Sequence, residues 1–331
     1  MLVVDSQNLS ADSYVALTLA ASGTERIGLG TGVTNSVTRH PAVTASAAMA
    51  VQEVARGRMV LGIGRGDSAL AHLGRSPARF KSFERYVDVL QRYLRGEEVA
   101  FDQIPMPDDV ALPIADLQLA DHPLISRIRW YKDEITKVPV EVAATGPMVI
   151  AMAGRLADRV MFTLGAVPER IRWGIELATQ SAETHGRDPS TLRFGAFVNL
   201  VCHPDVAKAR ALVRGGLTTF ARFSVMHGTV SGPVDAADRT VLSKLHDGYD
   251  MKAHTRADSA QAGLMEDAFV DKYAIAGPPE HCLERLGELR DLGLDKVVVS
   301  GPTAGADREA SVAAMSLLDE AVVPSFPSGR R

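Results

Sequence analysis

Short, predominantly apolar runs that do not alternate with polar residues are interleaved with amphipathic helical stretches along almost the whole chain, and few folds accommodate that pattern. Seven runs read as strands: residues 2–4, 26–33 (RIGLGTGV), 58–63 (RMVLGI), 138–144 (VPVEVAA), 159–164 (RVMFTL), 192–202 and 296–300 (KVVVS). A half-exposed strand alternates apolar with polar residues, whereas a continuously apolar one is buried on both faces, as in a parallel sheet covered by helices. Helices are predicted over 12–21, 41–54, 80–94, 147–157, 168–185, 278–292 and 307–321, with one more opened by Pro204. Pro41, Pro147, Pro168 and Pro278 stand where proline is favoured, in a first helical turn. Strand–helix alternation of this kind implies an α/β fold.

An unbroken series of such units favours a TIM (β/α)8-type barrel with insertions, one domain over 1–331, over a doubly wound open sheet, which is the alternative. The chain opens directly in a strand and shows seven runs, so the first βα unit of such a barrel is missing from the pattern. Two stretches break the rhythm. Residues 97–133 hold four prolines, and 223–268 read as an irregular, polar, partly helical insertion. The tail PSFPSGRR reads as loose.

Composition narrows the function classes. Hydrophobic residues make up 46% and charged residues 23% of the 331, with a formal net charge of −4. That balance suits a globular enzyme and argues against bulk binding to nucleic acid or an anionic membrane. No apolar run has the roughly 18–20 residues of a membrane span, and the start MLVVDSQNLS has no basic region or long apolar core of a signal peptide. A cytoplasmic location is expected. The two cysteines, Cys202 and Cys282, read as packing residues rather than a disulfide framework. Neither a Cys/His cluster with metal spacing nor a GxSxG elbow is present.

In this architecture ligands sit at the carboxyl ends of the strands. One such end is GIGRGDSALAHLG, residues 62–74. Gly62, Gly64 and Gly66 let a ligand approach the backbone closely, Arg65 is a partner for an anion, and Asp67 is placed to order the loop. A tight turn after a strand would carry the same glycines, and the spacing is not that of a dinucleotide fingerprint. A second end is VAATGPMVI, residues 142–150, where Thr145, Gly146, Pro147 and Met148 lead from a strand into a helix. Free amides at a helix start behind a glycine make an anion site, although an N-cap followed by proline is also an ordinary helix start. A third end, residues 30–43, is polar: Thr31, Thr34, Asn35 and Thr38 crowd the exit of a buried strand, and His40 reads as a helix-start hydrogen-bond partner.

The order of these motifs resembles the luciferase-like monooxygenase superfamily, on its branch of methylenetetrahydromethanopterin reductase-like enzymes that use coenzyme F420. The resemblance rests on DS at Asp5–Ser6, TNSVTRHP at 34–41, GRMVLGIGRGDS at 57–68, ATGP at 144–147 and AGPPEHCLERLGEL at 276–289, and it covers nearly the whole chain. It implies a barrel, often dimeric, and a cofactor ring across the strand ends. It also implies a non-prolyl cis peptide behind the ring at Gly32–Val33, and phosphate contacts at Thr145–Met148. Ser6 stands where some F420 relatives carry a histidine. Asp5 and Asn35 are then the polar groups nearest the chemistry. Ser6, Gly32, Val33, Thr34, Gly64, Arg65, Asp67 and the Thr145–Met148 turn are the cofactor contacts. The expected activity is hydride transfer between F420 and a small organic substrate, with no metal. The alternatives are an FMN-dependent monooxygenase and an inactive barrel serving as a binding or assembly subunit.

Overall fold

The computed structural model describes residues 1–130 and 136–326. The chain divides into two compact units. Unit 1 comprises 1–143 and 156–158, and unit 2 comprises 144–155 and 159–331.

Unit 1 runs β1 (Leu2–Val3), α1 (Ser13–Gly23), β2 (Leu29–Thr31), β3 (Thr34–Asn35), α2 (Pro41–Val54), β4 (Met59–Gly64), the short α3 (Ser68–Ala71), α4 (Phe80–Leu94) and most of β5 (Val140–Ala144). Every ladder is parallel, with Leu2 opposite Gly30, Leu29 opposite Met59 and Leu61 opposite Val140. Each of the six β4 residues is buried, which is the physical content of its unbroken apolar run. Two helices start on side-chain caps. Asp12 accepts from the Tyr14 and Val15 amides ahead of α1, and His40 Nδ1 accepts from the Ala42 amide ahead of α2, satisfying donors that a helix leaves open. α4 turns Phe83, Tyr86, Val87, Leu90 and Leu94 inward, the i, i+3, i+4 stripe read from its sequence.

Of the run read as one strand over 26–33, only Leu29–Thr31 is strand. The Gly32–Val33 peptide is cis, β2 ends before it, and β3 begins after it. Both short strands pair with β4, β2 through Leu29 and Gly30 and β3 through Thr34 and Asn35. The first insertion has little regular structure: 3-10 turns at Phe101–Gln103 and Ile114–Leu117 and one antiparallel bridge, Val99 to Ser126. Its last part, 131–133, lies outside the described residues.

Unit 2 continues with α5 (Pro147–Leu156), β6 (Arg159–Phe162), α6 (Pro168–Thr184), β7 (Arg193–Cys202), α7 (Val206–Phe223), α8 (Ala236–Asp247), α9 (Asp267–Tyr273), β8 (Ile275–Gly277), α10 (Pro279–Asp291), β9 (Lys296–Ser300) and α11 (Arg308–Leu317). β7 is the hub. Its first residues pair with β6, its middle with β9 and its end with β8, all in parallel. β3 and β8 bring the strands formed among the described residues to nine, where the sequence shows seven runs. Strands of two and three residues are too short to stand out as apolar runs.

The 223–268 segment is more than a polar insertion. Val225, Val241, Leu242, Leu245 and Met265 are buried in one cluster with Leu212, Val213 and Leu217 of α7 and Phe269, Val270 and Tyr273 of α9. Lys272 ties α9 to the start of α8 through Asp235 at 2.7 Å and Asp238 at 2.5 Å. At the chain's end, a 3-10 turn covers Val323–Ser325, and the tail beyond 326 lies outside the described residues.

Helix packing in unit 2 depends on one small residue. A Cβ on Gly154 of α5 would lie 2.3 Å from the Ala178 carbonyl oxygen of α6, too close for either backbone to yield locally. Gly154→Ala is therefore expected to destabilise the protein by roughly 1–3 kcal/mol, the usual cost of overpacking. Urea unfolding of the variant checks this, and an unchanged midpoint would contradict the close approach.

Candidate functional site

At the strand exits of unit 1, polar side chains converge on a buried carboxylate. Asp5, just past β1, is only 3% exposed. Its Oδ2 accepts from the Thr34 hydroxyl at 2.6 Å and is ion-paired with Arg39, and its Oδ1 accepts from Gln7 Nε2 at 3.2 Å. Arg39 also reaches Asp12 at 2.7 Å, and its guanidinium lies 5.1 Å from the centre of the Tyr14 ring. The Tyr86 hydroxyl donates to the Arg39 carbonyl at 3.0 Å and meets the Thr44 hydroxyl at 2.7 Å. Burial pushes the Tyr86 phenol up to about 12 and raises that of Tyr14 further, so both stay neutral. Arg39 is thus the cation that makes a buried Asp5 tolerable, because an unpaired buried charge is costly.

Asn35 sits beside this cluster, 1% exposed. Its Oδ1 is fully used, accepting from the Val37 and Thr38 amides at 3.0 Å each and from the Thr38 hydroxyl at 3.2 Å. Its Nδ2 is buried with no partner among the described residues, as are Ser36 Oγ and His40 Nε2. A buried amide donor left open calls for an explanation, and its position supplies one. Asn35 is the register partner of Gly64, on a stretch of β4 stripped of side chains. A Cβ on Gly62 would lie 2.2 Å from the Thr31 carbonyl oxygen. One on Gly64 would approach Val33 Cγ2 at 3.3 Å and Ala143 Cβ at 3.8 Å, and one on Gly66 would meet Leu70 at 2.6 Å and Asn35 Cβ at 3.3 Å. Val33, after the cis peptide, therefore lies over Gly62 and Gly64.

The remaining predicted residues fall into three groups. Ser6 is near this cluster, its hydroxyl 3.4 Å from that of Ser68. Arg65 folds back on its own loop: its Nε donates to the Ala78 carbonyl at 2.7 Å and its carbonyl accepts from the Ala78 amide at 2.9 Å. Asp67 leads into α3, its carbonyl accepting from the Leu70 and Ala71 amides. Thr145, Gly146, Pro147 and Met148 belong to unit 2. There the Thr145 hydroxyl is hydrogen-bonded to that of Thr163, Gly146 accepts from the Val149 and Ile150 amides, and Met148 is exposed at the head of α5. Sequence reasoning missed the part played by Arg39 and Tyr14. A lone arginine before a helix carries no local sequence mark that separates it from a solvated one.

The sequence profile of a family described as luciferase-like monooxygenase matches residues 1–296. The chain is similar to the 5,10-methylenetetrahydromethanopterin reductase of Methanolobus tindarius, 26% identical over 314 residues that span 94% of this chain and 87% of the relative. Among solved structures, it is similar to the coenzyme F420-dependent tetrahydromethanopterin reductase of Methanopyrus kandleri, with a TM-score of 0.71, 21% identity and coverage of 98% of this chain and 90% of that one. A second solved structure, an F420-dependent secondary alcohol dehydrogenase in complex with an F420–acetone adduct, matches with a TM-score of 0.68 and 16% identity over 96% and 85% of the two chains. These two likenesses show a shared α/β fold.

The electrostatics of the cluster can be tested at two residues. Arg39→Met leaves Asp5 buried without its cation and is expected to cost about 3–5 kcal/mol in chemical unfolding, with Arg39→Lys recovering part of it. If Arg39→Met unfolds like the parent, Asp5 does not depend on Arg39. The second residue is His40, whose imidazole is held below its usual 6.5 by burial. Because the folded value is depressed, the stabilisation is complete above 6.5 and is lost as the pH falls through the folded value. Protonation also removes the Nδ1 acceptor that caps α2. His40→Asn keeps a capping acceptor but does not titrate, so between pH 7.5 and 5 the parent should lose more stability than this variant, by less than about 1 kcal/mol. Equal losses would contradict the role of His40.

Proposed function

The chain belongs to the luciferase-like monooxygenase family, and from that premise we propose that it is an F420-dependent oxidoreductase moving a hydride between the deazaflavin and a small organic substrate. The observation that carries this reading is the open Nδ2 donor of Asn35, next to the glycine-lined end of β4. A flat ring with polar edges can use both features: an apolar side chain, Val33, seated over Gly62 and Gly64 to lie against, and a fixed donor at its rim. The F420 dependence of the two similar solved structures supports the choice of cofactor.

When bound, the deazaflavin supplies the carbon centre that gives or takes the hydride. The protein's share is placement and electrostatics. Gly32, Val33 and Gly64 would back the ring, with Thr34 and Asn35 at its polar edge. Thr34 is held by its bond to Asp5, so its hydroxyl proton is committed there. Asp5 is ion-paired with Arg39, which fixes its side chain beside Thr34. Ser6 offers a hydroxyl in the same region. Arg65 and Asp67 would order the loop over the middle of the site, Arg65 through its clamp on Ala78. In unit 2, the Thr145-Gly146-Pro147-Met148 turn at the start of α5 is proposed as a phosphate contact, where the helix dipole favours an anion.

Titrating the purified protein with F420 and with FMN tests the reading. F420 is expected to bind at least about tenfold more tightly, a difference of about 1.4 kcal/mol. Equal or reversed affinities would favour reduced-flavin chemistry of the monooxygenase type. Asn35→Asp keeps the Oδ1 acceptor that shapes the 35–38 turn but deletes the amide donor. It should weaken F420 binding by about tenfold or more, the scale of one lost hydrogen bond to a buried group. Undiminished affinity in a well-folded Asn35→Asp protein would remove Asn35 from the site.

A further inference from the structure

The two cysteines of the chain stand 80 positions apart, yet the fold brings them together. Cys202 is the last residue of β7 and the register partner of Gly277, the last residue of β8. Paired strands lie roughly 5 Å apart. Cys282 is in the first turn of α10, and its Sγ lies 3.5 Å from the Gly277 carbonyl oxygen, which also accepts from the His203 amide at 2.8 Å. Across Gly277 each thiol bears on the titration of the other. Both are buried and neither is bridged.

Three features decide what such a pair can do. The dipeptides Cys202-His203 and His281-Cys282 converge here, His281 packing over Gly277. Nevertheless, among the described residues no three His, Cys, Asp or Glu side chains gather as a metal site. Packing alone would be served by any small apolar residue, but two adjacent sulfurs carry chemistry that alanine or valine does not. Burial raises both thiols, Cys282 to about 12, so the pair rests as protonated thiols at neutral pH and its oxidation is slow and speeds up as the pH rises.

We propose that Cys202 and Cys282 are a modification site, a dithiol that a hydroperoxide closes into an intrachain disulfide tying the end of β7 to the start of α10. One thiol attacks the peroxide O–O bond, giving a sulfenic acid and releasing an alcohol, or water from hydrogen peroxide. The second thiol attacks the sulfenic sulfur, forms the S–S bond and expels water. Two electrons and two protons leave the thiols and reduce one peroxide. A dithiol reductant reverses the closure.

The test uses the intact protein with hydrogen peroxide below its melting temperature, followed by denaturation, thiol alkylation and mass spectrometry. The expected product has lost two hydrogen atoms, takes up no alkylating agent, and yields one linked peptide pair containing Cys202 and Cys282. Its rate of formation is independent of protein concentration, and dithiothreitol restores both alkylation sites. Cys202→Ser and Cys282→Ser should each abolish the two-hydrogen loss and leave the remaining sulfur to gain oxygen or stay a thiol. The proposal is overturned if the parent keeps two alkylatable thiols, if it gains oxygen without cross-linking, or if the cross-link runs between chains. This readout is independent of cofactor and activity, so it stands or fails apart from the functional reading.

Discussion

A buried carboxylate at the end of β1 sets the terms for unit 1. In strands covered on both faces, a polar group is tolerated only where it finds a partner. Asp5 takes three: Thr34 from β3, Arg39 from the approach to α2, and Gln7. Arg39 in turn joins Asp12, the cap of α1, and lies against Tyr14 of that helix. One carboxylate therefore fixes the relative positions of β1, β3 and the starts of α1 and α2. Neutral Tyr14 and Tyr86 complete the surround without adding charge.

That arrangement also explains why Asn35 is available. The turn after β3 consumes the oxygen of Asn35 in three hydrogen bonds, so the amide cannot rotate to satisfy its nitrogen without breaking them. Opposite it, β4 offers glycine at alternate positions, 62 and 64, with Gly66 just beyond. Gly66 has φ +87°, in the region that disfavours other residues. At Gly62 even a methyl group would strike the Thr31 carbonyl oxygen. Alternate positions on a strand share a face, and the absence of side chains at 62 and 64 makes the room that Val33 fills.

The sequence made the long elements legible and left the short ones hidden. β4, β7 and α4 carry strong periodic signals because burial governs nearly every position in them. β3 and β8, two and three residues long, owe their existence to pairing with β4 and β7, which no local window records. The 223–268 segment looked polar because its exposed face is, yet Val241, Leu242 and Leu245 form an apolar edge that only α7 and α9 reveal. Residue types at the third strand end pointed to Thr34 and Asn35 and the family resemblance to Asp5, and His40 caps a helix as its position suggested. Arg39 was overlooked because a lone arginine before a helix has no sequence mark separating it from a solvated one. Arg65 shows the converse: a basic residue in a glycine-rich loop suggests an anion, while in the fold its Nε holds the Ala78 carbonyl.

The two irregular segments differ in what holds them, and that difference bears on where variation is tolerated. The 223–268 segment supplies core side chains, and the Ser224 hydroxyl and Pro233 carbonyl accept from buried Arg170 at 2.8 and 3.3 Å. Changing it would disturb α6, α7 and α9 together. Residues 97–126 are tied by the Val99–Ser126 bridge, by Tyr93 bonded to Ser126 at 2.7 Å, and by Arg85 donating to the carbonyls of Asp102 and Gln103 at 2.9 and 3.0 Å. Those acceptors are mostly backbone, which any residue supplies. Between the ties, Val110 and Leu112 are more than 60% exposed and contribute little to the core. The sequence of this stretch can therefore change at small cost to the ladders of unit 1, as is general for surface connections that tolerate variation.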